Sequence, residues 1–250
     1  MDPAEALAIV AAGVAAGAVN AVIGSGTLIT FPVLIALGYP PLVANVSNNV
    51  GLVPGALFGA IGYRRELRGQ RRRMIQLGAC SVLGGVAGAF LLLGLPERAF
   101  DAIVPVLIAL ALVLVVAQPR LATALAHRRR DDNERSFTVR GLVAASGIYG
   151  GYFGAGQGII LIAILGISIR DGLQRLNGLK NVLAGLVNLT AGIIFVFAAE
   201  IDWAVAGLIA AGSVVGAIVG ARYGRRLSPS VLRGLIVVVG LVAIVRLTLV

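Results

Sequence analysis

The stretch GAVNAVIGSGTLITFPVLIALGYPPLVANVSNNV, residues 17–50, runs apolar into a glycine turn, continues apolar, breaks at two prolines and ends among asparagines. The chain repeats this pattern in GIYGGYFGAGQGIILIAILGISIRDGLQRLNGLKNV, residues 147–182. Chance matches of glycine are common in a chain with 34 glycines, so the paired asparagines carry more weight. Self-similarity of this kind predicts that one structural unit is used twice. The matching positions, with a two-residue insertion before the asparagines, are Gly17 and Gly147, Gly24 and Gly154, Gly26 and Gly156, Asn45 and Asn177, and Asn49 and Asn181.

The composition indicates a polytopic membrane protein. Of the 250 residues, 58% are hydrophobic and 13% are charged, and the mean hydropathy is +0.96. Soluble domains carry about 25% charged residues. Apolar runs of about 20 residues recur along the chain, which is typical of membrane-spanning helices. We predict apolar segments at about residues 4–23, 27–38, 41–62, 74–95, 99–117, 139–156, 158–169, 172–199, 203–221 and 229–249.

Two of these segments, residues 27–38 and 158–169, are too short to span a bilayer. A helix of about 12 residues rises about 18 Å, whereas the hydrocarbon core is about 30 Å thick. Both half-spans follow a glycine turn, in corresponding places of the two halves, and such paired interruptions indicate the binding site of a transporter. The sequence leaves open whether each half-span crosses or folds back as a re-entrant hairpin.

The predicted fold class is an all-α polytopic membrane protein with two inverted-topology repeats, each with a half-span after a glycine-rich turn. We place the first repeat at residues 1–117, a basic linker at 118–138 and the second repeat at 139–250. Arginine clusters mark loops on the cytoplasmic side of an inner membrane, and this assignment needs an odd number of crossings in each half. The linker is then cytoplasmic and both termini are external. The arginines that decide this are Arg64, Arg65, Arg68, Arg71, Arg72, Arg73, Arg120, Arg128, Arg129, Arg130, Arg135, Arg140, Arg222, Arg225, Arg226 and Arg233.

Several classes of function are disfavoured by what the chain carries. A net charge of +10 would suggest nucleic acid in a soluble protein, but here the arginines lie between apolar runs with no interleaved aromatics. We therefore predict no nucleic-acid partner, and we expect a lipid bilayer and a small anionic substrate instead. The apolar segments contain no paired carboxylates and no histidine-containing triad, so we predict no catalysis, cofactor or metal. Cys80 and His127 are the only residues of their kinds, which excludes a disulfide framework and a Cys/His metal site.

The two glycine turns are candidate anion sites. A helix that stops within a membrane exposes backbone groups, which are tolerable only inside protein or around a wet cavity. Half-helices that begin at Thr27 and Gln157 would direct N–H groups and the positive ends of their dipoles at such a cavity. The alternative is that the turn glycines only allow close packing, as we expect for Gly84, Gly88, Gly212, Gly216 and Gly220. Glycine-rich faces could also pair two copies as a homodimer. The turn residues in question are Gly24, Ser25, Gly26, Thr27, Gly154, Gly156 and Gln157.

Asparagines and one lysine complete the candidate site. Pairs four residues apart share one helix face, and unpaired amides are costly in hydrocarbon, so they should face protein, water or substrate. Lys180 is the only lysine of the chain. An intramembrane cation would attract an anion, whereas the alternative is that Lys180 reaches the membrane surface with its long side chain. The candidates are Asn45, Asn48, Asn49, Asn177, Lys180 and Asn181, with Asn20, Thr30 and Asn188 as weaker ones.

At these motifs the chain resembles the TauE/SafE family of membrane transporters, the sulfite and organosulfonate exporter group. The resemblance rests on the two quoted stretches and on the ending IDWAVAGLIAAGSVVGAIVGARYGRRLSP, and it covers nearly the whole chain. One departure is that Pro32 follows the first glycine turn where the second half has Ile162, so the two half-spans could bend differently. The resemblance implies anion transport more firmly than it implies sulfite.

We therefore expect a secondary transporter that exports a small anion, such as sulfite, an organosulfonate or a related sulfur oxyanion or carboxylate, by alternating access. The membrane segments carry no central Asp or Glu, which favours transport driven by the membrane potential over coupling through a buried carboxylate. The alternatives are a proton-coupled importer of the same fold and a membrane scaffold that transports nothing.

Overall fold

A computed structural model describes residues 1–127 and 137–223, together with residues 234, 236–238 and 241. Within these residues the regular structure is α-helical, which confirms the all-α prediction. The last apolar segment, residues 229–249, and residues 128–136 of the linker lie largely or wholly outside the described part. The helices are α1 Pro3–Val22, α2 Thr27–Ala36, α3 Pro41–Gly62, α4 Arg71–Gly94, α5 Glu97–His127, α6 Phe137–Tyr152, α7 Gln157–Ser168, α8 Leu173–Ala198 and α9 Trp203–Tyr223.

Five helices of the described part are long and apolar enough to cross a membrane: α1, α4, the first 24 residues of α5, α8 and α9. The outward faces of these helices carry large apolar side chains, among them Leu83, Phe90 and Val113. In water such exposed apolar surface would be unfavourable, but against lipid tails it costs little. The fold is therefore that of a membrane-embedded helical protein. α3 has comparable length, 22 residues, but it carries the asparagines.

The first short helix folds back along α1. α2 has 10 residues and begins at Thr27, as predicted. Tyr39, just after α2, donates its hydroxyl to Glu5 Oε1 in the first turn of α1 at 3.0 Å. Because the two outer ends of α1 and α2 lie side by side, the pair forms a re-entrant hairpin, which we call the first hairpin. Asp2 and Glu5 also cap the start of α1 reciprocally,.

The second short helix forms a matching hairpin with the helix before it. α7 has 12 residues and begins at Gln157, as predicted. Val139, near the start of α6, and Ile169, just after α7, belong to one buried apolar cluster. The outer ends of α6 and α7 therefore lie together, and we call the pair the second hairpin. The structure thus resolves the alternative that the sequence left open, in favour of hairpins.

The two hairpins open toward opposite ends of the helix bundle. At one end, which we call the arginine end, Arg73 Nη1 donates to Asp171 Oδ2 at 2.9 Å and joins the α3–α4 and α7–α8 connections. At the other end, the backbone N–H of Asp202 donates to Ser47 Oγ near the start of α3 at 2.9 Å. The first hairpin opens at the Asp202 end and the second at the arginine end. Inversion of the halves relative to a membrane remains a prediction.

Helices of one half pack mainly on helices of the other half: α1 on α9, α6 on α4, and α3 on both α8 and α9. Small residues allow these close approaches. A Cβ added at Gly216 would lie 1.9 Å from Val14 O, and one added at Gly88 would lie 2.1 Å from Ile148 O. The expected packing role of these glycines is confirmed within one chain. A homodimer through glycine-rich faces remains a prediction.

The region between the two halves begins later than the apolar pattern suggests. The predicted apolar segment ends at about residue 117, but α5 continues to His127. The added residues are helix formers such as Leu, Ala and Arg, interrupted by Pro119, and helix propensity does not depend on hydropathy. The first part of the predicted linker is therefore an extension of α5.

Candidate functional site

The tips of the two hairpins touch at their backbones. Gly158, in the first turn of α7, donates its N–H to Gly24 O in the first glycine turn at 3.0 Å. Gly24 has a φ of +88°, and a Cβ added there would lie 2.5 Å from Gly158 Cα. Only glycine tolerates both the dihedral angle and the contact. Sequence reasoning did not single out Gly158, although a glycine in the first turn of a half-helix is a signal of close backbone approach.

The protein itself uses several of the N–H groups that the sequence assigned to an anion. Gly26 N donates to Asn20 Oδ1 at 3.2 Å, and Gln157 N donates to Gly154 O at 3.2 Å. The side chains beside these turns are less satisfied. Ser25 Oγ and Gln157 Nε2 are buried and have no hydrogen-bond partner among the described residues. A polar atom in this state is costly, and it is therefore a candidate contact for a bound solute.

Side chains of α8 cap the broken end of α1. Lys180 Nζ donates to Asn20 O at 3.3 Å, and Asn181 Nδ2 donates to Ala21 O at 3.1 Å. Both carbonyls belong to the last turn of α1, where no backbone N–H of the helix can reach them. Inside a membrane no bulk water can satisfy these carbonyls. The lysine and the asparagine therefore stabilise the first hairpin from the other half of the chain.

α3 caps the second hairpin in the same way. Asn45 Nδ2 donates to the backbone oxygen of Tyr152, the last residue of α6, at 3.0 Å. This exchange of caps between the halves gives Asn45 and Asn181 a structural task, although these two asparagines are not matched positions of the repeat. It does not depend on a bound substrate, and a substrate contact by Asn45 remains a prediction.

The other predicted asparagines differ in their surroundings. Asn48 stays within its own half, where it accepts a hydrogen bond from Thr30 Oγ1 and donates to Thr27 Oγ1 at 3.4 Å. Asn49 is buried, and its Oδ1 has no partner. Asn177 is buried in α8. The amide of Asn48 is thus satisfied within the protein, whereas Asn49 Oδ1 has no hydrogen-bond partner in the described part of the chain.

A small crevice lies where the first hairpin meets α3 and α8. Its polar lining consists of Asn20, Lys180, Asn181 and Asn188, and small residues such as Gly24, Gly55 and Gly59 leave its space open. Its volume is about 20 Å³, enough for about one water molecule. The crevice is therefore nearly closed in this conformation, although it collects three amides and an ammonium.

Lys180 dominates the electrostatics of this crevice. Its side chain is 1% exposed, which excludes the alternative that it reaches the membrane surface. In the described part of the chain, no carboxylate lies within ion-pair distance of its Nζ. An ammonium has three N–H donors, and Asn20 O accepts one of them. A buried cation without a counterion is expensive, so the crevice is suited to a solute that brings negative charge and acceptor oxygens.

Of the predicted site residues, the crevice brings together Gly24, Lys180 and Asn181. Asn20 and Asn188, which the sequence ranked lower, line it as well, and Gly55 and Gly59 were not singled out at all. Gly55 and Gly59 lie four residues apart on α3, a spacing that by itself indicates only close helix packing. The sequence does not show which helix packs against them. The predicted residues that do not line the crevice are Ser25, Gly26, Thr27, Asn45, Asn48, Asn49, Gly154, Gly156, Gln157 and Asn177.

Comparison with known proteins is consistent with this geometry. The family described as Sulfite exporter TauE/SafE matches residues 9–247. The chain belongs to the TauE/SafE family. The match spans both hairpins and the helices that cap them, so the family resemblance predicted from the motifs is confirmed.

Relatives of this TauE/SafE chain are named as membrane transporters. "Probable membrane transporter protein ORF9" of Sinorhizobium sp is 28% identical over 233 residues, which cover 93% of this chain and 88% of that protein. A "Probable membrane transporter protein" of Haemophilus influenzae is 26% identical over 233 residues, with 90% and 88% covered. "Probable membrane transporter protein YfcA" of Escherichia coli K12 is 23% identical over 237 residues, with 93% and 85% covered. No solved structure matches the chain.

Proposed function

We propose that this TauE/SafE chain exports a small anion across the inner membrane by alternating access, and that Lys180 is the cationic partner of that anion. The observation that carries the proposal is the buried ammonium beside Asn20, Asn181 and Asn188, with one hydrogen bond made and no carboxylate partner among the described residues. Sulfite, an organosulfonate or a related sulfur oxyanion or carboxylate supplies the oxygens that such donors need. The family description supports the sulfur oxyanion.

The membrane potential is sufficient to drive this export. Each negative charge that leaves a negative interior gains about 2.3 kcal/mol per 100 mV. A dianion therefore gains roughly three powers of ten in concentration ratio. The candidate spans in the described part carry their acidic residues, such as Glu97 and Asp101, near the helix ends. This distribution favours export driven by the potential over a proton relay through a buried carboxylate.

The proposed orientation follows the arginines. With the arginine end in the cytoplasm, the linker is cytoplasmic and both termini are external. Anions then approach the crevice from a surface rich in Arg64, Arg65 and Arg68, which are exposed and raise the local anion concentration. The nearly closed crevice would be an occluded state between the two open ones.

The second candidate function is structural, and the hydrogen bond of Lys180 to Asn20 O favours it. A cation at the end of a helix stabilises the helix by up to about 2 kcal/mol in a partly buried site. In that case Lys180 holds the first hairpin together in a membrane protein that moves no anion through this crevice. The two roles can be separated because only one of them depends on an added anion.

The test is anion binding by purified protein, with sulfite and ethanesulfonate as probes in isothermal titration. A cation about 4 Å from an anion at an effective dielectric constant near 20 contributes at most about 4 kcal/mol. After desolvation, Lys180→Gln should lose roughly ten- to a hundredfold in affinity. Lys180→Arg should restore only part of it, because the guanidinium is larger and forked.

Ser213→Ala serves as the matched control. Its hydroxyl donates to Gly51 O at 3.1 Å and does not line the crevice, so the variant reports the effect of losing one buried hydrogen bond between helices. If Lys180→Gln only lowers the thermal stability, as Ser213→Ala does, and binds both probes like the wild type, then Lys180 is a helix cap and the anion site lies elsewhere.

A further inference from the structure

The connection between α3 and α4, residues 63–70, lies between the crevice and the arginine end. Tyr63 follows Gly59 of the crevice by one helical turn and is buried. Gly178, two residues before Lys180 on α8, faces this connection, since a Cβ added there would lie 3.3 Å from both Tyr63 Cβ and Leu67 Cδ2. The side chains of Tyr63 and Leu67 thus pack on α8 beside the crevice, on the side of the exposed arginines.

Hydrogen bonds fasten this connection to the start of α8. Gln70 is buried, and its Nε2 donates to Glu66 O at 2.9 Å and to Arg175 O at 3.2 Å. Arg175 Nη1 donates in return to Arg68 O at 3.1 Å. The connection belongs to the first half and α8 to the second, so these bonds close the two halves against each other at the arginine end.

The Asp171 carboxylate connects Arg175 of α8 with Arg73 of α4. Its Oδ1 accepts from Arg175 Nε at 2.8 Å and from Gly172 N at 2.8 Å, and its Oδ2 accepts from Arg73 Nη1 at 2.9 Å. One carboxylate therefore fixes the guanidinium that holds Arg68 and ties the first turn of α4 to the α7–α8 connection. Charge-assisted bonds of this geometry are the stronger kind.

The carboxylate remains charged over the physiological range. Burial alone would raise the pKa of Asp171, but the hydrogen bonds from Arg175 and Gly172 and the charges of Arg175 and Arg73 outweigh it, so the pKa lies below its ordinary value. The other end of the bundle is closed differently. There the Asp202 backbone N–H bonds to the neutral Ser47 hydroxyl, and Asp202 Oδ1 caps Val205 N at 3.0 Å.

We propose that residues 63–70 are the gate of the Lys180 crevice at the arginine end and that Asp171, through Arg73 and Arg175, is the latch that keeps this gate shut. Opening requires the Asp171 contacts to break, and Tyr63 and Leu67 then move away from Gly178. The inference rests on the proposed transport function, but its test follows the opening of the crevice and not the binding of an anion.

The test measures how fast a cysteine in the crevice reacts with a water-soluble maleimide. Gly59→Cys places the thiol in the crevice, where the nearest atom to an added Cβ is Ala21 Cβ at 3.9 Å, and Cys80→Ser removes the native thiol. In this background Asp171→Asn should raise the labelling rate roughly tenfold, because loss of a charge-assisted contact shifts a local opening equilibrium by about that factor. Asp171→Glu, which keeps the charge, should restore most of the slow rate.

Asp202→Asn is the matched control, since it removes an acidic side chain at the other end of the same bundle and should change the labelling rate less than about twofold. The proposal is overturned if Asp171→Asn labels like its parent, or if both variants accelerate labelling equally, which would indicate general loosening. If Asp171→Asn does not fold, Arg73→Gln breaks one arm of the latch and should still accelerate labelling. Fast labelling of Asp171→Asn together with no anion binding by the wild-type protein would support the gate and contradict the transport proposal alone.

Discussion

α3 and α8 occupy matching places in the two halves, yet one carries Asn48 where the other carries Lys180. The offset that pairs Asn49 with Asn181 also pairs these two residues. Asn48 bonds to the hydroxyls of Thr27 and Thr30 in its own half, whereas Lys180 crosses to Asn20 O in the other half. Of these two matched positions, one therefore carries a neutral amide that bonds within its own half and the other a lysine, and the candidate anion crevice described above lies at the lysine.

The residues around Lys180 also differ from their counterparts in the other half, mainly in size. Gly55 and Ala184 line the crevice of Lys180, and their counterparts at the same offset are the buried Val187 and Leu52. The counterpart of Asn20 is Gly150, and a Cβ added there would lie 2.3 Å from Gln157 Cδ. Val187 and Leu52 are thus larger than their counterparts in the Lys180 crevice, and Gln157 occupies the space beside Gly150. One asparagine of each half, Asn45 and Asn181, caps a hairpin of the other half, whereas the small residues and the lysine lie together at the Lys180 crevice.

The largest expected effect concerns the glycine turns. Gly24→Ala puts a Cβ 2.5 Å from Gly158 Cα at a φ of +88°, whereas Gly156→Ala at a φ of +78° meets nothing closer than Ala111 Cβ at 3.6 Å. We expect Gly24→Ala to cost more than about 3 kcal/mol of stability, through the clash together with the dihedral strain. Gly156→Ala should cost only about 1–2 kcal/mol, from the strain alone. Thermal unfolding in detergent measures both, and equal losses would mean that the hairpin tips do not touch as described.

A smaller effect is expected when the charge is moved to the other half. Lys180→Asn gives α8 the residue that α3 has, and it should lose roughly ten- to a hundredfold in affinity for sulfite. Adding Asn48→Lys to that variant should not restore binding, because Thr27 and Thr30 contact position 48 and the buried Val187 and Leu52 stand where the Lys180 crevice has Gly55 and Ala184. Titration of the single and double variants decides this. Restored affinity in the double variant would show that the two halves are interchangeable and that these larger side chains do not prevent binding.

The smallest expected effect lies at the base of the first hairpin. Tyr39 donates to Glu5 Oε1, whereas the base of the second hairpin is apolar around Val139 and Ile169. Tyr39→Phe should therefore cost about 1 kcal/mol at neutral pH.

The pH dependence gives that prediction a second readout. Burial, followed by the hydrogen bond and charge of Glu5, raises the pKa of Tyr39 from 10.0 to about 12. The contribution of Tyr39 is fully present below pH 10 and is lost as the pH rises through 12,. The stability difference between wild type and Tyr39→Phe should shrink in that window. A difference that stays constant from neutral pH to pH 12 would contradict the assignment of the Glu5 hydrogen bond.

Hydrophobic pattern and glycine placement were sufficient to predict much of the fold. The starts of α2 at Thr27 and α7 at Gln157 follow from the glycine turns before them, because Gly24, Gly154 and Gly156 have positive φ angles that interrupt a helix and that glycine adopts readily,. The end of α5 at His127 could not be predicted from hydropathy, since its last turns leave the apolar pattern but keep helix-forming residues. Whether the half-spans fold back depends on contacts between residues far apart in sequence, such as Tyr39 with Glu5, and no local pattern contains these contacts.

The candidate site, like the fold, could be predicted from the sequence only in part. The sequence by itself determined that the chain is a membrane protein, that it carries a single lysine among asparagines, and that its helices are interrupted at glycine turns. That one unit is used twice in inverted orientation is its prediction. Only the tertiary structure decided that Lys180 meets Asn20, that Gly24 meets Gly158, and that Asn48 stays with its own half. Composition and hydrophobic periodicity are properties of single segments. The hydrogen-bond partner of a buried lysine or of an interrupted helix end depends instead on which segment packs against it.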